Sequence, residues 1–229
     1  MSRLLYELAG EDPGRRFSPY CWRTRFALAH KGLEAEGTPW RFTEKDRLAF
    51  SGQGLVPVLV DGDTVLSDSW RIAEWLEEKH PDRPSLFGGA PALVRFVNSW
   101  ADTALHPALA RLIIMDIHGC LAPADQAYFR QTREARFGAS LEAIQAKREV
   151  ELPAFRKLLQ PLRGALAGKP WLGGDTPNYA DYIVLGSFQW ARCTSPFRLL
   201  AEDDVVFDWR ARGFALFDGM AAKAKGYTA

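Results

Sequence analysis

A change of texture at His80-Pro81-Asp82-Arg83-Pro84-Ser85-Leu86-Phe87-Gly88-Gly89 constrains the fold of this chain more than any other feature. Ahead of it, short β-like runs alternate with helical ones: Leu4 to Leu8, a helix from Pro19, Thr38 to Phe42, Val56 to Val60, Thr64 to Leu66, and a helix from Ser69. Asp61-Gly62-Asp63 joins two of those runs as a tight hairpin turn. The helix from Ser69 carries Ile72, Ala73, Trp75 and Leu76 at three- and four-residue spacing. Beyond the Pro/Gly stretch the strand pattern gives way to helical periodicity. Leu141 and Ile144, then Phe155, Leu158, Leu159 and Leu162, form inward stripes. Pro107, Pro153 and Pro161 start, kink or divide those helices. The expected architecture is a small α/β domain over residues 1–81, a linker over 82–90 and an all-helical domain over 91–229.

Several function classes fall away on composition. The 229 residues carry a formal net charge of +1, so no global basic field argues for nucleic acid. The series Arg130, Arg133 and Arg136, near Lys147 and Arg148, reads as a solvated helix face. Cys21, Cys120 and Cys193 are an odd, sparse set, which suits a reducing cytoplasm better than a disulfide framework. The N-terminus reaches acidic residues and Gly10 too soon for a signal peptide, and no apolar run is long enough to span a bilayer. A soluble cytoplasmic protein is expected. His30, His80, His106 and His118 lack paired metal-ligand spacing, and no metal site is expected. There is no Gly-x-Ser-x-Gly elbow, no phosphate-binding Gly-Lys-Ser/Thr loop, and Gly52-Gln53-Gly54 lacks the third glycine of a dinucleotide loop.

Three motifs carry what chemistry the sequence offers, and a fourth serves folding. In Phe17-Ser18-Pro19-Tyr20-Cys21-Trp22-Arg23-Thr24, Ser18 is a preferred N-cap and Pro19 suits the first helical position. Ser18 and Cys21 share the positive end of the helix dipole, where an anion such as a thiolate is favoured. The segment serves either as a plain cap or as a thiol-handling site whose first cysteine has become serine. Val56-Pro57 is either a strand start or a cis-proline that turns the N–H and C=O of Val56 outward to pair with a peptide ligand. Asp68 or Ser69 caps the Ile72/Leu76 helix, and the same two groups suit an amino-acid head group, its carboxylate on Ser69 and its ammonium on Asp68. Asn178 with Asp181 three residues on is an N-capping pair before an apolar helix, Tyr182 to Ala191, and belongs to folding.

In this order, the motifs resemble those of the glutathione transferases over essentially the whole chain. Ser18 to Leu28 is similar to the serine- or cysteine-start helix of that superfamily, Val56-Pro57-Val58-Leu59 to its cis-proline strand, Asp68-Ser69 to its γ-glutamyl motif, and Asn178 to Asp181 to its capping motif. The Ser-Pro-Tyr-x-Trp-Arg-Thr start, Asp68 to Glu74, Trp171 to Asp175 and Gly213 to Gly219 resemble bacterial lignin β-etherases and their fungal etherase-like relatives. The resemblance implies a thioredoxin-like domain with a mixed sheet, then a helical domain shaping an apolar acceptor site. It implies glutathione as co-substrate, with Ser18 activating its thiol, Val56 and Pro57 on its cysteinyl backbone, and Asp68 and Ser69 on its γ-glutamyl end. It further implies a small hydrophobic electrophile, with aryl ether cleavage among the reactions, and a two-fold homodimer. Other readings are a non-catalytic glutathione- or polyphenol-binding module, and thiol-disulfide (deglutathionylation) chemistry through Cys21. Trp100, Ile114 and Met115 are the expected acceptor wall. Two departures stand out: apolar Leu55 before the Val-Pro pair, where many members carry a polar or basic residue, and an insertion, Glu11 to Arg16, expected to reshape the acceptor pocket.

Overall fold

The computed structural model describes residues 3–228. Four strands form one mixed sheet in the order β2-β1-β3-β4, with β1 at Leu4–Leu8, β2 at Glu36–Trp40, β3 at Val58–Asp61 and β4 at Thr64–Ser67. β1 and β2 run parallel, and α1 (Pro19–His30) makes the crossover that a parallel pair needs. β1–β3 and β3–β4 are antiparallel, with Leu5 opposite Leu59 and Tyr6 opposite Val58. Gly62, at φ 59°, takes the first of the two loop positions between β3 and β4, the place where a glycine-first hairpin turn needs it. α2 (Ser69–Lys79) closes this half.

β2 lies two residues earlier than the sequence pattern predicts. Its continuation is turned away at Glu44, whose carboxylate accepts from Arg41 N–H at 3.0 Å while its carbonyl accepts from the Trp40 indole at 2.7 Å. Pro39 is tolerated because β2 is an edge strand. β3 begins at Val58 instead of Val56, after a cis Val56-Pro57 bond. Pro57 has no N–H to donate to a ladder.

After an irregular stretch, α3 (Pro91–Trp100) runs through a wide π turn at Ala101–Leu105 into α4 (His106–Gly119). α5 (Pro123–Phe137), α6 (Leu141–Gln145), α7 (Arg148–Leu158), α8 (Gln160–Ala165), α9 (Tyr179–Thr194) and α10 (Val205–Lys223) follow. Pro107 and Pro161 sit in the first turns of α4 and α8, and Pro153 lies inside α7. The expected stripes are in the core: Leu141, Ile144, Phe155, Leu159 and Leu162 are buried, with Leu158 partly so.

α9 is buried on almost every side, as its apolar sequence requires. Its capping box is present, and the Asp181 carboxylate also accepts from the backbone N–H groups of Leu172 and Gly173 and from the Trp209 indole. α9 packs along α1, with the Phe26 and Tyr182 rings stacked at 5.5 Å. The close approach depends on Gly186, because a β-carbon there would lie 2.6 Å from the Pro19 carbonyl oxygen. The start of α1 is thus set against the middle of the helical half.

Candidate functional site

Ser18 is the N-cap of α1. Its extended backbone (φ −62°, ψ 127°) lets the hydroxyl oxygen accept from Cys21 N–H at 3.3 Å. A hydroxyl has one donor and two acceptor positions, so the cap does not use the Ser18 O–H, which is able to donate to a sulfur. Pro19 has no N–H, and Tyr20 N–H has no partner among the described residues. These groups open onto a cleft of about 280 Å³ between the two halves of the chain. From the N-terminal half it is lined by Phe17, Ser18, Tyr20, Trp40, Phe42 and Val56 among others. From the helical half come His106, Ile114, Phe129, Phe137 and Trp190, with three charged groups, Asp102, Arg133 and Arg136. A larger, shallow depression of about 1090 Å³ near Leu28, Leu33 and Met220 is lined by none of Ser18, Val56, Pro57, Asp68 and Ser69.

Val56 lines the cleft with Ser18, and among the described residues neither its N–H nor its C=O has a partner. Pro57 lies behind it, buried. Asp68, not Ser69, caps α2: one of its carboxylate oxygens accepts from Trp70 N–H at 3.0 Å and from Arg71 N–H at 3.1 Å. The exposed Asp68 holds a left-handed backbone at φ 73°. Ser69 is buried, and its carbonyl accepts from the Tyr179 hydroxyl at 2.7 Å, which ties α2 to α9. Asp68 borders a separate open depression with Arg71 and Arg95. Ser18 and Val56 therefore share one cleft, while Asp68 and Ser69 lie outside its lining.

Cys21 has no exposed surface. Burial first, then the charge of Glu7, pushes its thiol up to about 12, so it stays protonated at neutral pH. This geometry leaves the thiol-disulfide reading through Cys21 without a reachable thiolate. Of the expected wall, only Ile114 lines the cleft. Met115, one residue and about 100° further round the helix, packs against the core, and its N–H donates to the Gln145 side chain at 2.7 Å. Trp100 precedes the π turn and also packs against the core. The expected influence of the insertion is redirected as well. Its residues are absent from the cleft lining and dock on the helical half, Glu11 N–H to the Cys120 carbonyl at 2.9 Å and the Arg15 guanidinium to the Cys193 carbonyl.

The far wall carries a polar network that the sequence reading missed. The buried Arg23 guanidinium donates to Asn98 at 2.7 Å and to Asp102 at 3.3 Å, and Asn98 donates to the other Asp102 oxygen at 2.9 Å. The same guanidinium lies 4.7 Å above the Tyr20 ring. His106 meets the Ser187 hydroxyl at 2.9 Å. Burial, then the Arg23 charge, lowers its pKa to about 3, so the imidazole is neutral at pH 7. Burial and the Asp102 charge raise the Tyr20 pKa, which keeps its phenol protonated. A periodicity count could have found this face. His106, Ala110, Ile114 and Ile117 fall on one stripe of α4, and Phe129, Arg133, Arg136 and Phe137 on one stripe of α5. Arg130 and Arg148 do pair at the surface, with Glu134 and Glu142 and with Asp116, and Arg136 is exposed at the edge of the cleft, but Arg133 is half-buried in its wall.

Residues 17–79 match the family model described as the glutathione S-transferase N-terminal domain, and residues 92–199 match that of the C-terminal domain. Glutathione S-transferase Z1 of Arabidopsis thaliana is 42% identical over 69 residues, 28% of this chain and 31% of that protein. The chain thus spans about a third of the length of that relative. A glutathione S-transferase of Ceriporiopsis subvermispora, solved in complex with glutathione, superposes with a TM-score of 0.84 at 24% identity, covering 95% of this chain and 97% of the other. For a glutathione transferase from Phanerochaete chrysosporium the TM-score is 0.77 at 26% identity, covering 97% and 94%.

Proposed function

The chain belongs to the glutathione S-transferase family, its two domain models together matching about three quarters of the sequence, and we propose that it is a working transferase whose Ser18 activates the glutathione thiol. The observation that carries this reading is the buried Ser18 hydroxyl, capping α1 in one cleft with the unpaired backbone of Val56. Val56 N–H and C=O suit the cysteinyl backbone of the tripeptide as a short added strand, with Pro57 behind. Asp68, with one carboxylate oxygen unused by the cap, and Ser69 suit the γ-glutamyl end. Glutathione supplies the nucleophile: its sulfur bonds to an electrophilic carbon, the leaving group departs with the electron pair, and the thiol proton goes to solvent. Ser18 O–H donates to the sulfur, which favours the thiolate over a thiol that titrates near about 8.5 when free. The aromatic walls hold the acceptor beside it.

Aryl ethers, with aryloxide as the leaving group, are one acceptor class that fits these walls. The exposed side chains of Leu93 (70%) and Phe96 (71%), one turn apart on α3, support a two-fold homodimer as the assembly. Three free cysteines suit a reducing cytoplasm. The test is calorimetric binding of glutathione, together with product detection over a panel of aryl halides, enones and β-aryl ethers. Binding without any product would favour the non-catalytic module, and no binding would remove the reading altogether.

A further inference from the structure

Two arginines stand in a cleft whose walls are otherwise largely aromatic and aliphatic. Arg133 lies over the rings of Phe42 at 5.3 Å and Phe129 at 4.7 Å, and donates to the Thr132 hydroxyl at 2.9 Å. Arg136 lies 5.8 Å from the Phe137 ring centroid. Among the described residues neither has a carboxylate within ion-pairing distance, whereas Arg130 on the same helix has two. Burial lowers the Arg133 pKa, the Tyr128 phenol offsets part of that, and no carboxylate contributes. The one carboxylate on the cleft wall among the described residues, Asp102, is already held by Arg23 and Asn98. Tyr20 and His106, the other titratable groups of the lining, are neutral at pH 7.

Arg133 is half-buried, and a cation partly withdrawn from water without a counter-ion is costly. Arg136 is exposed at the edge of the cleft with its charge unpaired among the described residues. A guanidinium pairs best with a planar oxyanion through two parallel hydrogen bonds. A dry cavity of about 150 Å³ holds benzene, so about 280 Å³ accommodates one substituted ring. We infer that the acceptor this site takes is a small aromatic anion, a single ring bearing a carboxylate or similar oxyanion, whose charge is held by Arg133 and Arg136 while the ring lies among Phe42, Phe129 and Trp190. The inference rests on the transferase reading and names its second substrate. For an aryl chloride the new S–C bond replaces C–Cl, chloride leaves with the electron pair, the thiol proton goes to solvent, and the carboxylate is unchanged.

Binding tests this independently of turnover, using 3,5-dinitrobenzoate and its methyl ester, which lack a leaving group. On the full chain, calorimetry is expected to show the carboxylate binding about tenfold or more tighter than the ester. Arg136→Gln and Arg133→Gln each remove most of that preference and leave glutathione affinity unchanged, and Arg133→Lys restores part of it. Equal binding of acid and ester by the native protein overturns the inference. So does a preference that survives both Gln variants in folded protein, or a loss of glutathione affinity, which would assign the arginines to the tripeptide. 4-Chloro-3,5-dinitrobenzoate separates the two readings. If dinitrobenzoate binds as expected but this chloride gives no glutathione adduct, the ligand class stands and the transferase reading fails.

Discussion

Replacing Ser18 with alanine removes two interactions whose sizes differ enough to be measured apart. The first is the cap: Cys21 N–H loses its acceptor, but the bond is long at 3.3 Å, so the loss is about 0.5–1 kcal/mol. For a chain of this length that lowers the melting temperature by about 1–4 °C. The second is the hydrogen bond to a charged sulfur in a site where Ser18 is only 4% exposed, a bond worth about 1.5–3 kcal/mol. Its loss slows kcat by about 10- to 100-fold and raises the pKa of bound glutathione by about one to two units. Glutathione affinity changes less, since the hydroxyl acts on the thiolate and not on the whole tripeptide. Ser18→Gly isolates the second effect, because glycine at an N-cap costs only a few tenths of a kcal/mol while the hydroxyl is still gone. The assay is thiolate ultraviolet absorbance titrated against pH, with kcat and KM measured beside it. Ser18→Cys should shift activity toward thiol-disulfide exchange. A Ser18→Ala enzyme with unchanged kcat and pH profile would refute the reasoning, and loss of activity in Cys21→Ala would name a different residue.

Acid stability should report His106. Its folded pKa, about 3, lies below the unfolded value of about 6.5, so its contribution is complete above pH 6.5 and declines as pH falls toward 3. By pH 5 the loss is about 2 kcal/mol, and urea melts at pH 7 and pH 5 should show a smaller drop for His106→Gln than for the native chain. Gly186→Ala drives a methyl group against the Pro19 carbonyl, 2.6 Å from the new β-carbon. About 1–3 kcal/mol of stability should be lost in denaturant melts, and kcat should fall because the start of α1 moves, although Gly186 does not line the cleft. Phe96→Asp should convert the proposed dimer into a monomer of intact secondary structure, checked by light scattering and circular dichroism. A native protein that is already monomeric would refute the assembly.

The sequence by itself determined the order of elements and the chemistry near the first helix. Ser18 and Pro19 are local signals, since a cap and the residue after it act within one turn. The same is true of Asn178 with Asp181 and of the Asp61-Gly62-Asp63 hairpin. Periodicity alone placed the buried stripes of the helical half. What only the tertiary structure decided was which of several equally apolar or charged positions meet across the chain. Met115 and Ile114 are neighbours in sequence, yet a rotation of about 100° sends one to the core and the other to the cleft. Arg130 and Arg133 are equally basic, but carboxylates from Glu134 and Glu142 hold the first at the surface while Phe42 and Phe129 draw the second inward. Cys21 sits beside a field that would favour a thiolate, and packing buries it out of reach. Caps and periods are properties of one segment. A cleft is formed by residues as distant as Ser18 and Trp190, and their meeting depends on how α9 packs against α1 at Gly186.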